Sequence, residues 1–476
     1  MLLAGARLLF VELRFFVFFA IVLLVYWNLR TNDLRKWFLL AASYYFYGSW
    51  DWRFACMLFA LSCGDYFFAL RIAGSENPGV RRLYVTASLA MNLLVLAFFK
   101  YFHFFVNSAL YLAEAAKIHI SEPTLRIILP VGISFFTFQS LSYTIDVYRR
   151  EIPAVHNIRD YVLFAAFFPQ LVAGPIVRPK YFVPQLGSKR HVTPQEIKSA
   201  LYLFLMGFVK KACIADNVSP YVDKVFNDPH QFSALASITA TWLYAVQIFC
   251  DFSGYSDMAI AVAAMMGYKL VLNFDAPYLS ESIQDFWRRW HISLSSWIRD
   301  YIYISLGGRA KKQWLTNRNL MITMLAGGLW HGASWTFVAW GGLHGIALIV
   351  NQAYRRHFPL TANSVPVWRR AVGWLLTINF VCLCWILFRS STFNGAWLLI
   401  QRYLLIDYGG ADSLPRWLTA LPAALLLLEY LSRRIKLHDL VCDLVLPRFA
   451  FTYGCVWAIA IAMLPFGYRP FIYFQF

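Results

Sequence analysis

The sequence predicts an all-α polytopic membrane protein, and three observations carry that reading. Of its 476 residues, 59% are hydrophobic and 18% aromatic. Only 14% are charged, where a soluble domain carries about 25%. Apolar runs long enough to cross a bilayer, which takes roughly 20 residues, recur along the chain between short basic loops. The expectation is one integrated membrane domain over residues 1–476, with its functional core at roughly residues 127–350.

Each element follows from its pattern. Leu8 to Trp27 reads as a first membrane helix. Glu12 and Arg14 sit inside that apolar stretch and no small-residue cleavage site is evident, so it reads as retained. Trp37 to Leu70 is apolar and aromatic but broken at Gly48-Ser49-Trp50-Asp51-Trp52, as two short crossings joined at an aromatic belt would be. Leu83 to Phe105 is a further crossing, and Leu110 to Arg126 is amphipathic and interfacial. Ile127 to Tyr143 carries Ser134, Thr137, Gln139 and Ser140, which need partners inside a bundle, so a central helix is expected. Phe164 to Lys180 holds Pro169 and Ala173-Gly174-Pro175 and reads as re-entrant or kinked. Pro194 to Ala215 is a helix whose apolar run ends at Lys210-Lys211.

Ser233 to Met266 is apolar but interrupted by Asp251-Phe252-Ser253-Gly254-Tyr255-Ser256-Asp257. Two carboxylates at membrane depth mark a broken helix or a site wall, the alternative being an interfacial turn. Towards the C-terminus, Val372 to Phe388, Trp417 to Leu431 and Phe449 to Phe466 read as crossings, and Phe393 to Leu405 as amphipathic. The total comes to roughly ten or eleven crossings. The eight cysteines form no CxxC pair and lie mostly in apolar segments, as small core residues do.

The chain is organised around Asp285 to Gly345. On a single helix, Phe286, Trp287, Trp290, Leu294, Trp297, Ile298 and Tyr301 share one face, Arg288, Ser295 and Arg299 the other, and His291 stands at the border. Such a helix lies along a membrane surface, either as a bare anchor or with its arginines towards phosphate. Leu320 to Val350 then reads as a bilayer-length segment without charged residues, yet it holds His331 and His344. A histidine there is a functional hypothesis or, alternatively, a packing residue. Gly328 and Gly332, like Gly341 and Gly345, stand four apart, a spacing that lets another helix approach closely.

The net charge of +18 fits headgroup-facing loops and contact with membrane lipids, and no nucleic-acid motif accompanies it. The richest cluster, Arg288, Arg289, Arg299, Arg309, Lys311, Lys312 and Arg318, belongs in the cytoplasm by the positive-inside rule. There is no GxSxG elbow, Walker A sequence, HExxH, GxGxxG fingerprint or zinc pattern. What remains is His331 as a general base and His291 at a basic interface. A thioester donor needs no metal, and Gly307-Gly308-Arg309-Ala310-Lys311-Lys312 suits the phosphates of acetyl-CoA, although the run is equally ordinary positive-inside charge.

Asp251 to Ile260, Phe286 to Ser295 and Gly328-Leu329-Trp330-His331-Gly332-Ala333 resemble signatures of the membrane-bound O-acyltransferase family. Pro130 to Phe135, Ala173-Gly174-Pro175 and the ending Phe471 to Phe476 are similar to its bacterial branch linked to alginate O-acetylation. Phe10-Val11-Glu12-Leu13-Arg14-Phe15 resembles relatives linked to cellulose acetylation. The resemblance implies a ring of membrane helices, with re-entrant and interfacial helices, around a central catalytic tunnel in a bacterial inner membrane. It implies His331 and His291 as catalytic residues, and the donor-binding set is expected to be Arg288, Arg299, Arg309, Trp330 and Ser295. The implied partners are a periplasmic acetyltransferase with a Ser-His-Asp site and a polysaccharide synthesis or secretion complex. The expected function is acetyl transfer from a cytoplasmic thioester to an extracellular polysaccharide such as alginate or cellulose. Peptidoglycan or another wall polymer is the alternative, and a lipid or glycan transporter or a secretion scaffold is the rival from another class.

Overall fold

The structure is a computed structural model that describes residues 8–118, 125, 127–172, 174–358 and 366–465. Ala173 and the ending Phe471 to Phe476 lie outside the described residues. Among those described, every regular element is helical, with one isolated bridge between Phe232 and Asp412. The chain divides into two compact units, Met1–Ala200 with Ala259–Val271, and Leu201–Met258 with Leu272–Phe476.

In the first unit, α1 (Leu13–Asn28), α2 (Asn32–Gly48) and α3 (Trp52–Ala73) follow one another. Asp51 caps α3 by accepting from the Arg53 N–H, which explains the break expected at Gly48 to Trp52. The α4 helix (Pro78–Leu96) runs through a π turn at Ala97–Tyr101 into α5 (Phe102–Ala115). The expected central helix is α6 (Ile133–Tyr148), in which Ser134, Thr137, Gln139 and Ser140 are all buried. Its Thr144 joins a buried polar cluster. Ser88 Oγ lies 3.0 Å from Thr144 Oγ1 and 2.6 Å from Asp65 Oδ1, and Asn92 donates to Asp65 at 2.9 Å. The kinked segment appears as α7 (Ile158–Ala166), α8 (Phe168–Leu171) and α9 (Pro179–Phe182), with Phe164 to Gln170 fully enclosed. The Phe168 N–H freed by the kink donates to Ser43 Oγ at 3.1 Å.

The α10 helix (Pro194–Phe208) leads into the second unit and, through a π turn at Val209–Ala215, to α11 (Asp216–Asn227). The α12 helix (Ala234–Met265) then runs unbroken for 32 residues through Asp251 and Asp257. This corrects the expected break, and the alternative of a turn. Neighbouring cations supply the physical reason: Lys211 Nζ stands 2.6 Å from both Asp251 and Asp216, and Lys210 Nζ stands 2.8 Å from Asp257. With their carboxylates paired, the helical hydrogen bonds need not yield to solvation. Glycines let the two segments meet: a Cβ at Gly207 would lie 2.6 Å from the Gly254 carbonyl oxygen.

The expected single amphipathic helix after Asp285 is two short ones, α13 (Ile283–Arg289) and α14 (Ile292–Ile298), broken at His291 with φ +42°. Its aromatic face is buried in protein, from Phe286 to Tyr301, which replaces the reading of a surface anchor. The bilayer-length segment Leu320 to Val350 is also two helices, α15 (Gln313–His331) and α16 (Trp335–His357). They form an antiparallel hairpin in which Gly328 faces Gly341 and Gly345 meets Met321. A Cβ at Gly328 would lie 2.3 Å from the Phe337 carbonyl oxygen, and one at Gly341 2.4 Å from that of Met324. The four-residue glycine spacing thus brings backbone against backbone.

Beyond the hairpin come α17 (Val367–Arg389), α18 (Phe393–Tyr403), α19 (Leu421–Ile435), α20 (Leu437–Cys442) and α21 (Leu446–Ala462). Among the described residues, Trp52–Ala73, Pro78–Ala115, Ala234–Met265 and Val367–Arg389 are long and apolar enough to cross a membrane. Burial separates their roles: 83% of the apolar window of α12 is inside the protein, against 11% for Pro78–Ala115. The former is a core helix and the latter shows its side chains to lipid. All eight cysteines are free.

The hairpin contact yields a prediction. Gly328→Val is expected to abolish monodisperse protein in detergent, judged by size-exclusion profile and thermal melt. Gly342→Ala, whose Cβ would make an ordinary 3.7 Å contact with Leu325, is expected to leave both unchanged.

Candidate active site

Two buried imidazoles meet in the second unit. His331 ends α15 and is 3% exposed, and His291 is fully buried. Their ring centroids are 6.5 Å apart. The hairpin sets the first position, because Gly332 is extended and lets the chain leave α15 beside Phe337. A bend sets the second. At φ +42° and ψ 56°, His291 occupies the left-handed region, which costs an L-residue roughly 1–2 kcal/mol. Such a conformation persists where the surroundings dictate it.

Asn273 dictates it. Its carbonyl oxygen accepts from the Ile292 N–H at 2.9 Å. Its side-chain Oδ1 lies 3.0 Å from His291 Nδ1, 3.2 Å from the Ser293 backbone nitrogen and 2.9 Å from Ser293 Oγ. A backbone N–H can only donate, so the amide orientation is settled: the atom facing it is an oxygen. That oxygen in turn requires a proton on His291 Nδ1. Neutral His291 therefore carries its lone pair on Nε2, the tautomer required of a group that accepts a proton there. Asn273 Nδ2 is within 3.2 Å of Ser256 Oγ, which ties the clamp to α12.

Aromatic rings enclose the pair. Trp330, Trp340 and Phe388 lie 5.0, 5.0 and 5.2 Å from the His331 ring, and Phe252 lies 4.7 Å from that of His291. His344 stands one turn beyond Trp340, with ring centroids 4.7 Å apart, and accepts from Trp287 Nε1 at 3.3 Å. Rigid apolar walls of this kind exclude water and strengthen each polar interaction between them.

Of the residues expected at the site, the structure brings His331, His291 and Trp330 together. His291 is enclosed, not at the border of a surface helix. Arg288, Arg299 and Arg309 are exposed, and Arg299 pairs with Asp300 at 2.6 Å. Ser295 Oγ donates to the Trp290 carbonyl at 3.0 Å. Sequence reasoning missed Asn273, which lies in an undistinguished polar stretch, and Trp340 and Phe388, which resemble the many other aromatics. Lys210 and Lys211 were legible as basic residues, and the structure sets them against Asp257, Asp251 and Asp216.

The fold and this site define a polytopic all-α membrane protein with a histidine pair sealed inside one helical unit. The family model of the membrane-bound O-acyltransferase family matches residues 144–393, a span that holds both histidines. The chain is 40% identical over 420 residues to a protein of Azotobacter vinelandii named probable alginate O-acetylase AlgI, covering 87% of this chain and 82% of that one. A Helicobacter pylori peptidoglycan O-acetyltransferase is 37% identical over 390 residues, 76% and 72% of the two chains. A Streptococcus thermophilus teichoic acid D-alanyltransferase is 29% identical over 324 residues, 62% and 77% of the two. The chain belongs to the membrane-bound O-acyltransferase family and is a membrane-embedded O-acyltransferase.

The clamp and the ion cluster are testable. Asn273→Leu orphans at least two buried donors, at about 1–3 kcal/mol each, and is expected to lower the melting temperature and acyl transfer together. Ser256→Ala, which removes the Nδ2 contact alone, is expected to do much less. Lys211→Met leaves Asp251 and Asp216 without it, an expected loss of about 3–5 kcal/mol. Adding Asp251→Asn is expected to restore part of that thermal stability.

Proposed function

We propose that this O-acyltransferase takes an acetyl group from a cytoplasmic thioester, acetyl-CoA, and passes it across a bacterial inner membrane for O-acetylation of an extracellular polysaccharide such as alginate or cellulose. The enclosed His331–His291 pair, 6.5 Å between centroids inside the family-matched span, is the observation that carries this reading. His331 is the general base. It takes the proton of an acceptor hydroxyl while that oxygen bonds to the thioester carbonyl carbon. The tetrahedral intermediate collapses by breaking its C–S bond, and the departing sulfur receives the proton held on His331. His291, held in one tautomer by Asn273, orients the donor or assists proton transfer.

Exposed Arg288, Arg299 and Arg309 hold the phosphates of the donor, with Trp330 and Ser295 nearer its acyl end. Arginine suits that task, since its planar fork pairs with phosphate oxygens. The basic cluster around these residues supports a cytoplasmic donor side. The relatives named for alginate O-acetylation, which align over most of both chains, support a polysaccharide acceptor. A periplasmic partner with a Ser-His-Asp site completes delivery to the polymer, within a synthesis or secretion complex.

In nanodiscs with acetyl-CoA and that partner, the wild-type chain is expected to release CoA. His331→Ala is expected to lose at least about 10²-fold of that rate while keeping its melting temperature. CoA release undiminished in the variant overturns His331 as base.

A further inference from the structure

The proposed chemistry gathers negative charge on the thioester carbonyl oxygen, and no residue assigned above has been given the task of donating to that oxygen. The walls of the site contain one. Trp340 is 1% exposed, and its indole Nε1–H has no hydrogen-bond partner among the described residues. An indole nitrogen only donates, so an acceptor is what it lacks. Burying such a group without a partner is unfavourable unless something arriving in the site provides one.

Its placement is specific. Side chains on a helix lean towards its N-terminus. Trp340 on α16 therefore leans back towards the hairpin turn, where α15 ends in His331, and the two rings stand edge to face at 5.0 Å. Two other buried N–H groups stand nearby: Trp385, which interacts with the Tyr278 hydroxyl, and His344 Nε2, which has no hydrogen-bond partner among the described residues. Trp385 stacks behind Trp340 at 6.1 Å, and His344 sits on the side of Trp340 that bears Trp287. For His344 the donor role follows from its neighbour: Trp287 donates to Nδ1, so the proton of the neutral ring is on Nε2. Of the three, Trp340 is the one whose ring lies against the proposed base.

We propose that Trp340 is a further catalytic residue, whose indole N–H donates to the thioester carbonyl oxygen and stabilises the oxyanion that forms as the acceptor oxygen bonds to the carbonyl carbon. The assignment rests on the acyl-transfer reading above. Attack moves the carbonyl π electrons onto oxygen, where Trp340 holds them, and His331 takes the hydroxyl proton. Reversal of that electron shift expels the thiolate, which recovers the proton from His331. A donor fixed in a dry aromatic wall needs no reorganisation at that moment, and loss of one such donor typically costs about 10²–10³-fold in kcat.

The test uses the full chain in membrane vesicles that retain its native acceptors, with acetyl-CoA as donor and His331→Ala as the blank. Trp340→Phe keeps a buried aromatic ring, though a smaller one, and deletes the donor. It is expected to lower kcat about 10²-fold or more with little change in KM. Trp385→Phe, which deletes the neighbouring donor, is expected to retain near wild-type kcat. A fluoroacetyl thioester stabilises its own oxyanion, so the deficit of Trp340→Phe is expected to shrink with it, which a packing defect would not produce. Wild-type kcat in Trp340→Phe overturns the assignment, as does an equal deficit with both thioesters. No CoA release by the wild type above the blank overturns the acetyl-CoA reading itself, and the Trp340 assignment falls with it.

Discussion

The backbone contact between Gly328 and Gly341 governs the rest of the site. Two helices approach this closely only where neither carries a Cβ at the crossing. Because they do, α15 ends against the first turns of α16, and His331 is delivered to the ring of Trp340 instead of to lipid or water. The packing of the hairpin and the placement of His331 are therefore consequences of one steric condition.

Around that contact the protein meets the cost of enclosing polar groups with partners matched in chemical type. Charges are paired with charges, as Lys211 is with Asp251 and Asp216. The neutral His291 is met by a neutral amide, whose orientation is fixed by a backbone N–H that has no choice of role. The distinction has a chemical purpose. A carboxylate against His291 would favour its protonated form, whereas the amide of Asn273 selects a tautomer and leaves a basic nitrogen.

Much of this was legible beforehand, for reasons that can be named. Apolar runs reported membrane helices because backbone groups in hydrocarbon must be satisfied within the segment. The glycine spacing reported close helix approach, and the polar residues of α6 reported a central position. His331 stood out as an ionisable group in uncharged apolar sequence. The misreadings share a cause. Periodicity joined α13 to α14 and α15 to α16, because both halves of each pair are apolar on compatible faces. The breaks come from Asn273, 18 positions away from His291, and from backbone contacts across the hairpin. Asp251 and Asp257 pointed to a broken helix because their cations, Lys211 and Lys210, lie 40 and 47 positions earlier in the chain.

The sequence by itself determined the all-α membrane class, singled out His331 as an ionisable group in uncharged apolar sequence, and held the small residues that let helices touch. These depend on composition and local spacing, which a linear reading contains. The tertiary structure alone decided which tautomer His291 adopts, which carboxylates are paired with cations and which of many tryptophans stand against the ring of His331. Those properties are set by the nearest polar atom or ring across a gap of a few ångströms, and folding chooses that neighbour from distant parts of the chain.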